Sequence, residues 1–188
     1  MVTSMKRLIF SFSLPLLAAF APLTHADQND PRLDAYFAAL YQTQDVAQLK
    51  ALESRIWDAW RETDQADANA LFAEGMNAMQ AADFRLAIEL FTETIAIAPD
   101  FAEAYNMRAT THFLLGNNSE SLTDVAVTIN LEPRHFGALM GGAQIAIRSG
   151  QIEVALEFVE AALEVSPNNA DWQGVAQRLR DMTGTLDL

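Results

Sequence analysis

The sequence predicts an all-α fold built from three successive helix–turn–helix units of equal length. Three prolines, Pro99, Pro133 and Pro167, recur with a 34-residue period. Side-chain size repeats at the same interval, and the equivalent sets are Leu71, Tyr105 and Leu139; Gly75, Ala109 and Ala143; Ala87, Ser121 and Ala155; and Phe91, Val125 and Val159. A fixed period of this length indicates stacked helical hairpins. We therefore expect an α-solenoid with units at 68–101, 102–135 and 136–169.

The ends of the predicted helices follow from proline and glycine chemistry. Each proline stops the second helix of its unit, because it lacks an N–H and disfavours helical geometry in the residue before it. Gly116 and Gly150 are placed to end the first helices of units two and three in a left-handed conformation. Unit one has Ala82 at that place, followed by Asp83 as an N-cap.

At these positions residues 68–169 resemble the tetratricopeptide repeat (TPR) family. The resemblance implies that the first helix of each unit lines a concave surface that binds an extended or helical peptide. The candidate peptide-binding residues carried over in this way are Phe72, Met76, Met79, Asn106, Thr110, Phe113, Met140, Gln144, Ile147 and Arg148. The same carry-over adds Asn69, Gln80, Glu103, Leu114 and Gly137 to the lining.

The best-known ligand site of the family, a clamp for a C-terminal carboxylate, is not expected here. The family builds it from two lysines, two asparagines and an arginine. The corresponding places in this chain hold Phe72, Met76, Met107, Gly137 and Gly141. We therefore exclude a carboxylate-clamp co-chaperone.

Residues 1–26 read as an export signal. Lys6 and Arg7 are followed by the apolar stretch 8–21, and Ala26 ends a small-residue cleavage site. A membrane anchor is the alternative, but the apolar run falls short of the roughly 20 residues that span a bilayer. We expect cleavage after Ala26 and a periplasmic protein of a Gram-negative bacterium. The chain has no cysteine, which excludes disulfides and a lipid-modified cysteine.

Charge restricts the class of partner. Removal of residues 1–26 would take away two of the 12 basic residues and none of the 25 acidic ones, which leaves a net charge of −15. Such a surface repels nucleic-acid phosphates and anionic lipids. We expect a protein or peptide partner of unknown identity, no nucleic acid, and no membrane insertion after signal removal.

Two helical segments flank the repeats. Residues 27–66 predict a helix pair with a turn near Thr43, expected to cover the apolar end of unit one with Trp57 and Trp60 as anchors. An aromatic ligand box at the two tryptophans is the alternative. Whether this pair leaves the concave groove open or fills it stays undecided. Residues 170–184 predict a closing helix, with Trp172 facing the array.

Several residues have both a structural and a functional interpretation. Arg108 replaces a usually buried aliphatic residue; we expect an ion pair with a nearby carboxylate, and a cation aimed at a ligand is the alternative. Gly141 and Gly142 lie mid-helix, where each costs up to about 1 kcal/mol relative to alanine; we expect close approach of the preceding helix, and backbone access for a ligand is the alternative. His112 is expected to pack on its own helix and His135 to be exposed.

No constellation of residues points to a reaction, a cofactor or a metal. The sequence contains no HExxH motif, no nucleophile elbow and no phosphate-binding glycine loop. A stripe of glutamates on the second helix of unit three, Glu153, Glu157, Glu160 and Glu164, predicts a solvated face.

The sequence therefore predicts a non-enzymatic scaffold in the cell envelope that binds a peptide or protein segment on its concave surface. The alternative is a small-ligand-binding accessory protein of a solute transport system. Self-association into a homo-oligomer is also open.

Overall fold

The computed structural model describes residues 27–186, which form nine α-helices with no strand among them. The helices are α1 Arg32–Gln42, α2 Val46–Trp60, α3 Ala66–Gln80, α4 Phe84–Ile97, α5 Ala102–Leu115, α6 Asn118–Leu131, α7 Phe136–Arg148, α8 Ile152–Val165 and α9 Ala170–Leu186. Helices α3 to α8 are the three predicted hairpins, so the all-α repeat fold is confirmed. The predicted signal at 1–26 lies outside the described residues. Within 27–186, none of the helices is both long and apolar enough to cross a membrane.

The first helices of all three units end in the left-handed conformation expected from the sequence. Gly116 has φ 81° and Gly150 has φ 72°, whereas Ala82 adopts φ 58° without the freedom of glycine. A left-handed alanine costs roughly 1–2 kcal/mol. The Asp83 carboxylate accepts a 3.2 Å hydrogen bond from the N–H of Leu86, and this N-cap starts α4 at once.

The array curves with its first helices on the inside. Helix α5 contacts both α3 and α7, while no comparable contact joins α4 to α6 or α6 to α8 in the described part of the chain. Neighbouring first helices are therefore closer together than neighbouring second helices. The surface made by α3, α5 and α7 is called the inner surface below.

Helix crossings within a unit depend on matched side-chain sizes. A Cβ placed on Gly75 would lie 2.6 Å from Cε1 of Phe91, and the Phe91 side chain is fully buried. At the equivalent crossings the glycine is replaced by alanine and the phenylalanine by valine, as in Ala109 with Val125. Each unit thus fills the same space with a different division of volume between the two helices.

A second contact between an aromatic ring and a glycine lies in α7. It corrects the expectation that the preceding helix approaches Gly141 and Gly142. A Cβ on Gly142 would lie 2.7 Å from the Phe158 ring, whereas a Cβ on Gly141 would meet nothing within 4 Å. Phe158 belongs to α8, the helix that follows, and not to the preceding helix. Gly142 therefore makes room for Phe158, and Gly141 borders open space.

The crossing equivalent to Gly142 and Phe158 in unit two is an ion pair. Arg108 donates from Nε and Nη2 to the two carboxylate oxygens of Asp124, each at 2.8 Å. Its Nη1 donates to Thr92 on α4 at 3.0 Å. The expected ion pair at Arg108 is confirmed, and the additional hydrogen bond to Thr92 ties unit two to unit one. The hydrogen bonds to Asp124 raise the pKa of Arg108 above its usual value.

The N-terminal segment and α1 run along the edge of the array where the proline-containing loops lie. Polar contacts join this segment to each of the three loops in turn. These contacts pair Gln28 with the backbone of Asp100 and Ala102, Asp34 with Arg134, and Thr43 with Asn168. With a rise of about 1.5 Å per helical residue, α1 is long enough to pass from the second loop to the third.

Helix α9 closes the array as expected, and it extends two residues past the predicted end at 184. Ala176 and Leu179 are buried in a cluster with residues of α7 and α8, and Trp172 and Val175 pack against it. The glutamate stripe on α8 is exposed, in agreement with the solvated-face prediction.

Replacement of Gly75 by alanine is expected to destabilise the protein by about 1–3 kcal/mol, because the new methyl group overlaps the buried Phe91 ring. Gly75→Ala with Phe91→Val should lose less stability than the two single changes added together, since Ala with Val is the pair found in units two and three. Chemical denaturation of the four proteins measures this coupling.

Gly141→Ala is the matched control, because it is also a mid-helix glycine but borders open space. It should stabilise the protein by about 0.5–1 kcal/mol. Equal effects at Gly75 and Gly141 would contradict the packing argument.

Arg108→Met is expected to cost about 2–4 kcal/mol, because it leaves the Asp124 carboxylate buried without its partner. This loss of stability is at the low end for a buried ion pair, since the Arg108 side chain is 19% exposed. Arg108→Met with Asp124→Leu should recover much of the loss, because Leu90 occupies the place of Asp124 in unit one. Denaturant unfolding tests both variants; a double variant as unstable as the single one would argue against a simple ion-pair role.

Candidate functional site

The helix pair α1–α2 lies against the inner surface near the start of α7. Its buried residues form one cluster with Phe136, and Val165 of α8 and Trp172 of α9 pack against that cluster. The expectation that this pair covers the end of unit one is therefore wrong. The Trp57 indole lies on Gly137, where any Cβ would overlap it, and this contact between ring and backbone fixes α2 on α7.

The Trp60 side chain is buried by the same packing. Its ring stacks on His135 with 4.0 Å between centroids and 10° between planes. His135 is completely buried, so the expectation that it is exposed is wrong. The sequence offered no sign of this contact, because residues 60 and 135 belong to segments that share no period.

Beneath Trp60, His135 pairs with the buried carboxylate of Glu103. Nδ1 of His135 accepts the N–H of Ala138 at 3.1 Å, so the ring proton sits on Nε2 and is donated to Glu103 at 3.0 Å. Asn106 donates to the same carboxylate oxygen at 2.8 Å. The other oxygen, Oε1, has no hydrogen-bond partner. Glu103 was expected to line the groove, and this correction removes it from the accessible surface.

The part of the inner surface that α1–α2 leave uncovered contains a cavity of about 160 Å³ between α5 and α7. We call it the inner cavity. It is lined by Asn106, Ala109, Thr110, Phe113, Ser121, Val125, Gly137, Met140, Gly141, Gln144 and Ile145. None of these residues is charged, although 20% of the chain is. The lining therefore combines amide and hydroxyl groups with apolar side chains, a combination that can hydrogen-bond a peptide backbone while it buries a side chain.

The ten candidate peptide-binding residues are divided among several places. Asn106, Thr110, Phe113, Met140 and Gln144 come together in the inner cavity. Phe72 and Met76 line a separate pocket beside Arg61 and Glu62 at the junction of α2 and α3. Met79 packs against the core of unit one. Ile147 and Arg148 are exposed near the end of α7, and the Arg148 guanidinium lies 4.1 Å from the Phe113 ring centroid.

Neither Met76 nor Met140 is fully buried, so the groove is only partly filled by the N-terminal helices. The residues that α1–α2 cover lie at the start of α7. The middle of α5 and of α7 remains accessible.

A second pocket, of about 290 Å³, lies where α2, α7 and α9 meet. We call it the aromatic pocket. Its lining consists of Glu53, Trp57, Phe136, Gly137, Met140, Asn169, Asp171 and Trp172. Glu53 accepts a 3.0 Å hydrogen bond from Asn169. Partial burial raises the pKa of Glu53, and the nearby charge of Asp171 adds to that effect. Sequence reasoning placed α2 and α9 at opposite ends of the array and so missed this pocket.

Comparison with known proteins supports the repeat assignment. A TPR repeat-containing protein of Rhizobium etli is 35% identical over 136 residues, which cover 72% of this chain and 67% of the relative. A small glutamine-rich tetratricopeptide repeat-containing protein 2 of Saccharomyces cerevisiae is 32% identical over 108 residues, 56% of this chain and 31% of the yeast protein. The chain thus spans about two thirds of the first relative and under a third of the second.

Solved structures agree on the fold. The first TPR of Spaghetti (RPAP3) bound to the HSP90 peptide SRMEEVD superposes with a TM-score of 0.60 at 19% identity, covering 64% of this chain and 96% of that one. No protein-family model matches the chain. The identity and coverage of the Rhizobium protein, together with the 34-residue hairpins of α3 to α8, show that this chain belongs to the tetratricopeptide repeat family.

Proposed function

We propose that this protein is a non-enzymatic scaffold of the bacterial cell envelope that binds a peptide or protein segment in the inner cavity. The observation that carries the proposal is the uncharged lining of that cavity in an otherwise acidic chain. Buried charges are costly to desolvate, and their absence here favours a segment whose backbone and apolar side chains make the contacts.

The solved TPR domain of Spaghetti holds a peptide, SRMEEVD, and so gives a precedent for a peptide ligand on this fold. A ligand anchored by a terminal carboxylate does not suit this chain. The inner cavity contains no lysine or arginine, and Gly137 and Gly141 stand at two of the clamp positions. We therefore propose an internal segment of the partner, held away from its C-terminus.

A closed pocket that included Arg108 as a cation for a ligand would have favoured the carrier alternative. The Arg108 guanidinium instead donates its hydrogen bonds to Asp124 and Thr92. This geometry favours the scaffold over the carrier.

Gly141→Leu is designed to fill the inner cavity. A Cβ at Gly141 meets nothing within 4 Å, so the larger side chain should enter the cavity without disturbing the fold. Linear peptides selected from a random library on the native protein are expected to bind the variant at least about tenfold more weakly, because one buried apolar side chain of the ligand loses its place. Isothermal titration calorimetry measures the two affinities.

Gly184→Leu is the matched control, since a Cβ there also meets nothing within 4 Å and the residue lies near the end of α9. Its affinity for the selected peptides should equal that of the native protein. Failure to select any peptide, or equal binding to the Gly141 and Gly184 variants, would contradict the proposed function.

The envelope location rests on residues 1–26. A fusion of these residues to a reporter enzyme that is active only after export should be active. Replacing Leu16 and Leu17 with aspartate should abolish that activity, because the apolar stretch is interrupted. Mass spectrometry of the exported native protein should find Asp27 at its N-terminus; an intact N-terminus on an exported protein would indicate an anchor.

A further inference from the structure

The aromatic pocket combines two kinds of group that attract organic cations. Trp57 and Trp172 present indole rings to it, and Phe136 lies between them with centroids 5.3 Å from Trp57 and 5.7 Å from Trp172. Indole faces attract guanidinium and ammonium groups, most strongly where water is partly excluded. Arg61 already lies 5.6 Å from the Trp57 centroid, outside the pocket lining. In the described part of the chain no cation lies over Trp172.

The same pocket contains two carboxylates. Glu53 is half-buried and Asp171 is exposed, and neither forms an ion pair with a residue of the described chain. Lys50, one turn before Glu53 on α2, acts on Glu53 at a distance and lowers its pKa, but burial acts more strongly in the opposite direction. A carboxylate that is partly desolvated, with no cation bound to it, is ready to gain from a cation supplied by a ligand.

The aromatic pocket adjoins the inner cavity. Gly137 and Met140 line both, so a segment that lies in the inner cavity can place a side chain in the aromatic pocket. The inner cavity offers only neutral groups, whereas its neighbour offers two negative ones. The lining therefore changes from neutral to acidic along the path of the segment.

We propose that the aromatic pocket binds the guanidinium or ammonium group of a basic side chain carried by the segment in the inner cavity; this rests on the proposed function. The cation lies against the Trp172 indole and donates to Glu53 and Asp171. Arginine fits better than lysine, because a planar guanidinium stacks on a ring while its edge donates to carboxylates. The acidic surface of the whole protein attracts such a segment at long range.

The first test uses single amino acids as probes. N-acetyl-arginine amide is titrated into the purified protein, and N-acetyl-citrulline amide, which is similar in shape and uncharged, serves as the matched probe. NMR follows the indole N–H signals of Trp57, Trp60 and Trp172. The arginine probe should shift the signals of Trp57 and Trp172 in a saturable way, and the citrulline probe should not. Equal shifts with both probes would overturn the proposal.

Charge variants locate the site. Glu53→Gln keeps the oxygen that accepts from Asn169, so the fold is retained, and its affinity for the arginine probe should fall about tenfold. Glu157→Gln makes the same charge change on the exposed face of α8 and should leave the affinity unchanged. Equal affinities for the two variants would place the cation elsewhere and overturn the proposal.

A peptide arm separates this inference from the proposed function. An arginine-containing peptide that loses affinity in the Gly141→Leu variant is resynthesised with citrulline in place of arginine. The native protein should bind the citrulline peptide about tenfold more weakly than the arginine peptide, and the Glu53→Gln variant should bind the two equally; this result supports the cation pocket. If the two peptides bind equally, groove binding stands and the cation pocket fails. If the arginine probe binds but no peptide does, the pocket takes free cations and both the proposed function and the assignment to a partner side chain fail.

Discussion

The architecture depends on aromatic rings that lie directly on glycine. Phe91 covers Gly75, Phe158 covers Gly142, and Trp57 covers Gly137. In each case the missing side chain lets a ring reach the backbone of a facing helix, and the dispersion attraction between ring and backbone offsets the lower helix propensity of glycine. The first two ring–glycine pairs close helix pairs within the repeats. The third joins α2 to α7 and gives the protein its particular inner surface.

The position of α2 decides which part of the inner surface can bind a ligand. Because Trp57 and Trp60 cover the first turn of α7, the groove is closed at that end and open along the middle of α5 and α7. The same placement brings Glu53 next to Asp171, although the two residues belong to helices at opposite ends of the described sequence. A three-unit array without α1 and α2 would have neither the closed end of the groove nor the aromatic pocket.

The sequence predicted the repeats well because the same packing of two helices recurs in every unit. The constant interval between the prolines placed α3 to α8, and the glycines at 116 and 150 placed the ends of first helices. Within one unit, the sizes at positions 75 and 91 are matched, and this relation is visible because two other units show the same positions with different residues.

The docking of α1–α2 could not be read in the same way. It depends on the contacts of Trp57 with Gly137 and of Trp60 with His135. Contacts between residues so far apart in the sequence produce no periodic pattern. The exposure expected for His135 and the groove position expected for Glu103 both failed for this reason.

The buried pair of Glu103 and His135 indicates that α1–α2 are part of the folded core. Without these helices the pair would be hydrated, and burying it has a cost, since Oε1 of Glu103 receives no hydrogen bond. That cost must be offset by the stacking of Trp60 on His135 and by the burial of Leu33, Leu40 and Ile56 in the cluster around Phe136. The free energy favours docking of α1–α2 only if the whole cluster forms together. Partial docking of the two helices would leave the Glu103 carboxylate desolvated without the compensating aromatic contacts. The N-terminal helices therefore pack as part of the core, and they form one wall of the binding surface.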